Sequence, residues 1–120
     1  MSRKFNISKR TVTKHAVIRA RERIDGFDVK RFGEIKDIIK EDIDSNIKYI
    51  YEDIREGKDS YCVITSNNVK YVVKRCGVTG RDFVLTSIKI DDREVSRLSR
   101  MFRFEIVAWI MQSASALPFS

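Results

Sequence analysis

One histidine occurs in this 120-residue chain, and it stands four residues before Arg19, which stands four before Arg23. On a helix, steps of four place side chains along one stripe, so the imidazole of His15 and two guanidinium groups line up. The set suits RNA cleavage without a metal. A base must take the proton of the 2′-hydroxyl, an acid must protonate the 5′ leaving oxygen, and cations must meet the charge that grows around phosphorus. Histidine titrates near neutrality, and arginine grips phosphate with a fork of donors. Glu22 can pair with Arg19 or Arg23 and fix their rotamers, or serve as a base itself. The same stripe, lacking an obvious second proton carrier, equally suits plain binding of RNA or DNA phosphates.

The charge balance supports a polyanionic partner. The chain has 24 Lys and Arg against 17 Asp and Glu, for a net charge of +7. Residues 1–25 hold eight of the basic groups, Lys14, Arg19 and Arg23 among them, and only Glu22 and Asp25 as acids; eight minus two is +6, nearly the whole surplus. A local cationic block binds polyanions by releasing their counterions. Lys74 and Arg75 offer a further pair of phosphate ligands, against the alternative of a charged sheet edge that blocks aggregation.

Other chemistries find little support. Cys62 and Cys76 are too few and too far apart for a zinc cluster, no Asp/Glu set has the spacing of a metal site, and no cofactor motif is present. The two cysteines are expected as buried thiols in a reducing compartment. No apolar leader follows the polar N-terminus, and no stretch reaches the roughly 20 apolar residues of a membrane span. The expected location is the cytoplasm, with no membrane partner.

The elements that must position the stripe follow from periodicity. From Val12 to Ile24, Ala16, Val17, Ala20 and Ile24 gather on one side of a helix and His15, Arg19, Glu22 and Arg23 on the other; Thr11 or Thr13 caps its start and Gly26 ends it. Asp28 reads as the N-cap of a second helix running to about Asp44. Ile47, Ile50, Tyr51 and Ile54 keep a helical period up to Gly57, which predicts a third helix over 46–56, with a strand over 47–52 as the competing reading. Residues 61–65 and 69–74 flank Asn67-Asn68, a hairpin signal, and 83–90 form a further strand. Asp91 or Asp92 caps a last helix reaching about Gln112. Its second half is apolar on nearly every side, so Phe102, Ile106 and Trp109 are expected at an interface, either with a second copy or with another protein. The order predicts an α+β domain: N-terminal helices, a small antiparallel sheet of three or four strands, and a long C-terminal helix over 92–112. Residues 1–11 form a basic arm, 12–112 the domain and 113–120 a tail.

Residues 11–24, Thr-Val-Thr-Lys-His-Ala-Val-Ile-Arg-Ala-Arg-Glu-Arg-Ile, resemble the opening helix of small phage and bacterial proteins with a Thr/Ser-x-His-Ala-x-x-Arg-x-x-Glu-Arg pattern. Those lie in or near the barnase/EndoU/colicin/RelE-like (BECR) ribonuclease-toxin superfamily. Phe83-Val84-Leu85-Thr86-Ser87 resembles that group's Leu-Thr-type strand. The resemblance implies a ribonuclease-like active site in which His15 and Arg19 are catalytic, Arg23 supports them, and Thr86 presents a hydroxyl from the sheet. It covers about a sixth of the chain, and the long last helix has no counterpart in the compact superfamily core. A phage-encoded origin would make the compartment the host cytoplasm, and a phage-type interaction protein that docks on a host factor through the last helix is the third reading.

Overall fold

The computed structural model describes residues 10–57, 59–76 and 81–106. Its elements are β1 (Arg10–Val12), α1 (Lys14–Arg23), α2 (Phe32–Asn46), β2 (Ile47–Glu52), β3 (Ser60–Thr65), β4 (Val69–Cys76), β5 (Arg81–Lys89), α3 (Asp92–Met101) and the two-residue β6 (Glu105–Ile106), with a 3-10 turn at Ile54–Glu56. They form an α+β fold around one sheet in the order β1-β5-β4-β3-β2-β6. β1 runs parallel to β5, and the other neighbours are antiparallel.

The arrangement differs from the one expected from periodicity. A strand precedes the helices, so Arg10 and Thr11 belong to the sheet. The sheet is mixed and larger than three or four strands. The last helix ends at Met101 rather than near Gln112, because Phe102 and Phe104 turn back onto the sheet. There Phe102 stacks on Tyr51 at 4.8 Å between ring centroids, and Phe104 packs against Tyr51 at 5.0 Å and Tyr49 at 5.1 Å.

The predicted third helix over 46–56 is β2. The chain has one residue too many for the pairing between Ile47 and Tyr49, and such a bulge turns the strand by one position. Ile47 and Ile50, three apart, therefore reach the same side of the sheet. That spacing imitates a helical period. α2 likewise begins at Phe32, not after Asp28; the chain from Ile24 to Lys30 makes two successive turns instead.

The two faces of the sheet are covered differently. On one, α1 and α2 bury Ala16, Val17, Ala20, Ile35, Ile39 and Ile43 against Ile50, Val63, Val73 and Val84. A polar pin closes this face: buried Asp42 accepts hydrogen bonds from Thr65 Oγ1 (2.8 Å), Tyr71 Oη (2.7 Å), Asn67 Nδ2 (2.6 Å) and Asn46 Nδ2 (3.1 Å). Burial, then the charge of Asp42, pushes the Tyr71 phenol far above its ordinary range. On the other face α3 buries only Leu98, which joins Tyr51, Cys62, Ile64 and Val72 under the aromatic seam of Tyr49, Phe102 and Phe104. Among the described residues no helix is long and apolar enough to cross a membrane.

Candidate functional site

The helix carrying the His/Arg stripe is fixed at its start and along its length. Thr13 caps α1 by accepting from the Ala16 amide at 3.3 Å, while its own hydroxyl and amide donate to the Val84 carbonyl of β5 at 2.7 and 3.1 Å. One residue thus satisfies an orphan helix donor and ties the helix to the sheet. Ala16 and Ala20 are wholly buried; with methyl side chains they let the helix lie close against β5. Ser87 Oγ adds a bond to the Ala16 carbonyl at 3.3 Å. At the other end Ile24 is extended and Gly26 takes φ +85°, a conformation that a Cβ disfavours.

With that side sunk, Lys14, His15, Arg21, Glu22 and Arg23 are exposed and Arg19 half-exposed. Arg19 is held between two neighbours: its Nε donates to His15 Nε2 at 3.4 Å, and its Nη1 pairs with Glu22 at 3.2 Å. An exposed ion pair within one helix contributes about 0–1 kcal/mol, so a phosphate can displace Glu22 easily. Arg21 leans away, donating to the Asp28 carbonyl at 3.1 Å with its guanidinium 5.8 Å from the Phe32 ring.

Thr86 does not join them. β5 carries one residue too many between the pairs Val84↔Val73 and Thr86↔Val72. Regular alternation would put Thr86 on the side of Val84, beneath α1. The bulge at Leu85 turns it to the opposite face, opposite Val72 and on the α3 side, and brings Ser87 to α1 instead. His15 and Thr86 are separated by the sheet itself.

The remaining expected contacts scatter. Lys74 is exposed and, one residue on from Val73 of the α1/α2 core, lies on the α3 face. Arg75 pairs with Glu52 at 2.7 Å and lies 5.1 Å over the Tyr61 ring, whose hydroxyl donates to buried Asp82. Phe102 is half-buried in the aromatic seam. Ile106 lies in β6, paired with Tyr49, and Trp109 falls outside the described residues.

Sequence reasoning missed two features. A cleft of ≈ 590 Å³ opens beside α2, floored by Phe27, Val69 and Tyr71 and walled by Glu34, Asp37 and Glu41. Their i, i+3, i+7 spacing was the available signal; the carboxylates repel phosphate and keep a polyanion out. The second is an arginine-rich α3. Arg97 is clamped by both oxygens of Glu94 at 2.7 Å. Nearby, Arg55 grips buried Asp53 at 3.0 and 2.9 Å and lies 4.9 Å over the Phe102 ring; its hydrogen bonds hold the Asp53 carboxyl below the ordinary carboxylate value. Cys62 is a free, buried thiol, pushed up to about 11 by burial. Among the described residues no group of three or more His, Cys, Asp or Glu is placed to hold a metal ion.

Compared with known proteins, the chain matches no protein-family model, no curated protein and no solved structure.

Proposed function

We propose that this protein binds the phosphate backbone of RNA through the outer face of α1, with Lys14, His15, Arg19 and Arg23 as the contacts. The observation that carries the reading is the orientation of the helix. Ala16, Val17 and Ala20 are sunk in the core and Thr13 is tied to β5, so His15, Arg19 and Arg23 are held along one exposed stripe before any ligand arrives, with Lys14 on the flank nearer α2. Preorganised cations lose little side-chain freedom on binding. RNA comes before DNA because an imidazole among phosphate ligands can hydrogen-bond the 2′-hydroxyl that only RNA carries.

Binding should fall steeply with salt. Arg19→Ala and Arg23→Ala should each weaken it and flatten the plot of log affinity against log salt by about 0.7–0.9 per phosphate contact removed. Gel shifts with a short RNA, and with duplex DNA as competitor, measure this. Unchanged affinity and slope in the Arg19→Ala, Arg23→Ala double variant would end the proposal.

A second reading, cleavage without a metal, is favoured by the nearness of the His15 imidazole to the Arg19 guanidinium, 3.4 Å apart on one exposed face. In it, Arg19 turns from His15 to the phosphate, the freed Nε2 takes the 2′-hydroxyl proton, and the 2′-oxygen attacks phosphorus. The bond to the 5′-oxygen breaks as that oxygen takes a proton from water, to which the imidazolium then gives up its own. That leaves a 2′,3′-cyclic phosphate and a 5′-hydroxyl, with Arg19 and Arg23 against the growing charge. Total RNA incubated with the protein in EDTA tests it. Cuts that vanish in His15→Ala support it, and bound but intact RNA leaves binding alone.

A further inference from the structure

The outward side of α3 repeats the chemistry of α1 on the far face of the sheet. Val95 and Leu98 pack inward. At 100° per residue, Arg93, Arg97 and Arg100 fall within about 60° of one another on the solvent side. Arg103 follows just past the helix end, and all four arginines are exposed. Arg97 is engaged by Glu94, whereas Arg93, Arg100 and Arg103 make no ion pair among the described residues. The acids of this helix, Asp91, Asp92 and Glu94, lie at its N-cap and first turn, leaving its C-terminal half cationic. Arg55, clamped to Asp53, stands close enough to Arg97 for their charges to interact.

Because α1 and α3 cover opposite faces of one sheet, the two cationic sides point away from each other on a body of 44 × 31 × 31 Å. A straight, stiff duplex can lie along one of them and cannot reach the other. Resting on the reading of α1 given above, we infer that α3 is a second phosphate-binding face and that the protein bridges two segments of nucleic acid.

Duplex RNA of about 12 base pairs, far below its bending length, cannot wrap around the protein and is the right probe. One duplex is fixed to beads, a fluorescent copy is free, and the full chain is added. The wild type should carry the fluorescent duplex to the beads. R93E/R100E/R103E should lower this capture at least tenfold while still shifting a single duplex through α1. R93K/R100K/R103K, which keeps the charge, should restore it, so a loss through misfolding is told apart from a loss of charge. R19E/R23E should also abolish capture, while α3 still shifts a single duplex.

If R93E/R100E/R103E captures as the wild type does, the second contact is not α3 and the inference is overturned. If R19E/R23E binds and captures as the wild type does, the reading of α1 fails, and the bridge with it. Co-sedimentation with phosphatidylserine vesicles that depends on the α3 arginines, without duplex capture, assigns that face to a membrane and likewise overturns the bridge.

Discussion

The two faces of the sheet present arginine to solvent by different means. Behind α1 lies a broad core of two helices, closed at one end by Asp42 with four hydrogen-bond donors around it. Behind α3 lies a smaller cluster, Leu98 with Tyr51, Cys62, Ile64 and Val72, under a seam of stacked rings. A stripe on the first face inherits the rigidity of most of the domain. A stripe on the second rides on a thin layer, which can loosen without the rest unfolding. Outward charge on a helix is therefore half of a binding site; the other half is what the opposite side of the same helix is packed into.

The strongest way to break this contrast is Asp42→Ala. It leaves the Tyr71 phenol and the Thr65 hydroxyl buried without an acceptor, and charged acceptors are the strong ones. The loss should be about 3–5 kcal/mol, a large part of the 5–15 kcal/mol that typically holds a domain of this size. Urea denaturation should show it as a lower midpoint with an unchanged slope. A loss below about 1 kcal/mol would mean that the pin contributes little and that the face behind α1 owes its firmness to apolar packing alone.

Alkali reaches the α3 face first, through Cys62. Burial raises the Cys62 thiol from its ordinary value of 9.0 to about 11. Between those values the unfolded chain has released the proton and the folded one keeps it, so rising pH favours unfolding. The contribution is fully present below pH 9 and is lost as pH climbs to about 11, at about 1.4 kcal/mol per pH unit. Tyr51, raised by burial and then by the neighbouring Cys62, and Tyr71, raised by burial and then by Asp42, act in the same direction from pH 10 upward. Urea midpoints measured from pH 8 to 11 should hold up to about pH 9 and fall above it. Cys62→Val, similar in volume, should flatten the portion between pH 9 and 10; an unflattened curve would show the thiol to be no part of the effect.

Phe102→Ala should have a smaller effect on global stability, about 2 kcal/mol for a half-buried ring. Its effect on α3 should be disproportionate. Amide exchange should speed up across 92–101 while α1 stays protected. Equal acceleration in both helices would make the molecule one cooperative unit and remove the contrast.

What the sequence disclosed, and what it hid, follows the same division. α1 was legible because its signals are local: Thr13 caps it, Gly26 stops it, and the buried positions keep one period. The Asn67-Asn68 turn was legible for the same reason, with Asn68 at φ 59°. β2 was not, since a bulge gave Ile47 and Ile50 the spacing that a helix would give. The end of α3 was hidden by apolar density. Phe102, Phe104 and Ile106 alternate with Arg103 and Glu105, a period of two that belongs to a sheet, but it is embedded in a run where almost every residue is apolar. Reading that run as helix also hid the arginines of α3 as a separate feature. Of the expected site, the imidazole and its arginines were legible because one helix carries them all. Thr86 depended on a pairing between distant strands, and a single extra residue there reversed it.

That reversal gives the smallest expected effect and the most direct test of the site. Thr86 is half-buried on the α3 side, with the sheet between its hydroxyl and His15. Thr86→Ala should change stability by no more than about 0.5 kcal/mol and leave RNA affinity, salt slope and any His15-dependent cleavage as in the wild type. Ser87→Ala is its counterpart: it removes the bond to the Ala16 carbonyl and should destabilise by about 1 kcal/mol, again without altering the salt slope. If Thr86→Ala instead abolished cleavage while Ser87→Ala did not, the hydroxyl would have to reach the reacting phosphate from the far face. The chemistry would then lie on the α3 side, among Lys70, Lys74 and Arg97, with α1 serving only to hold the strand.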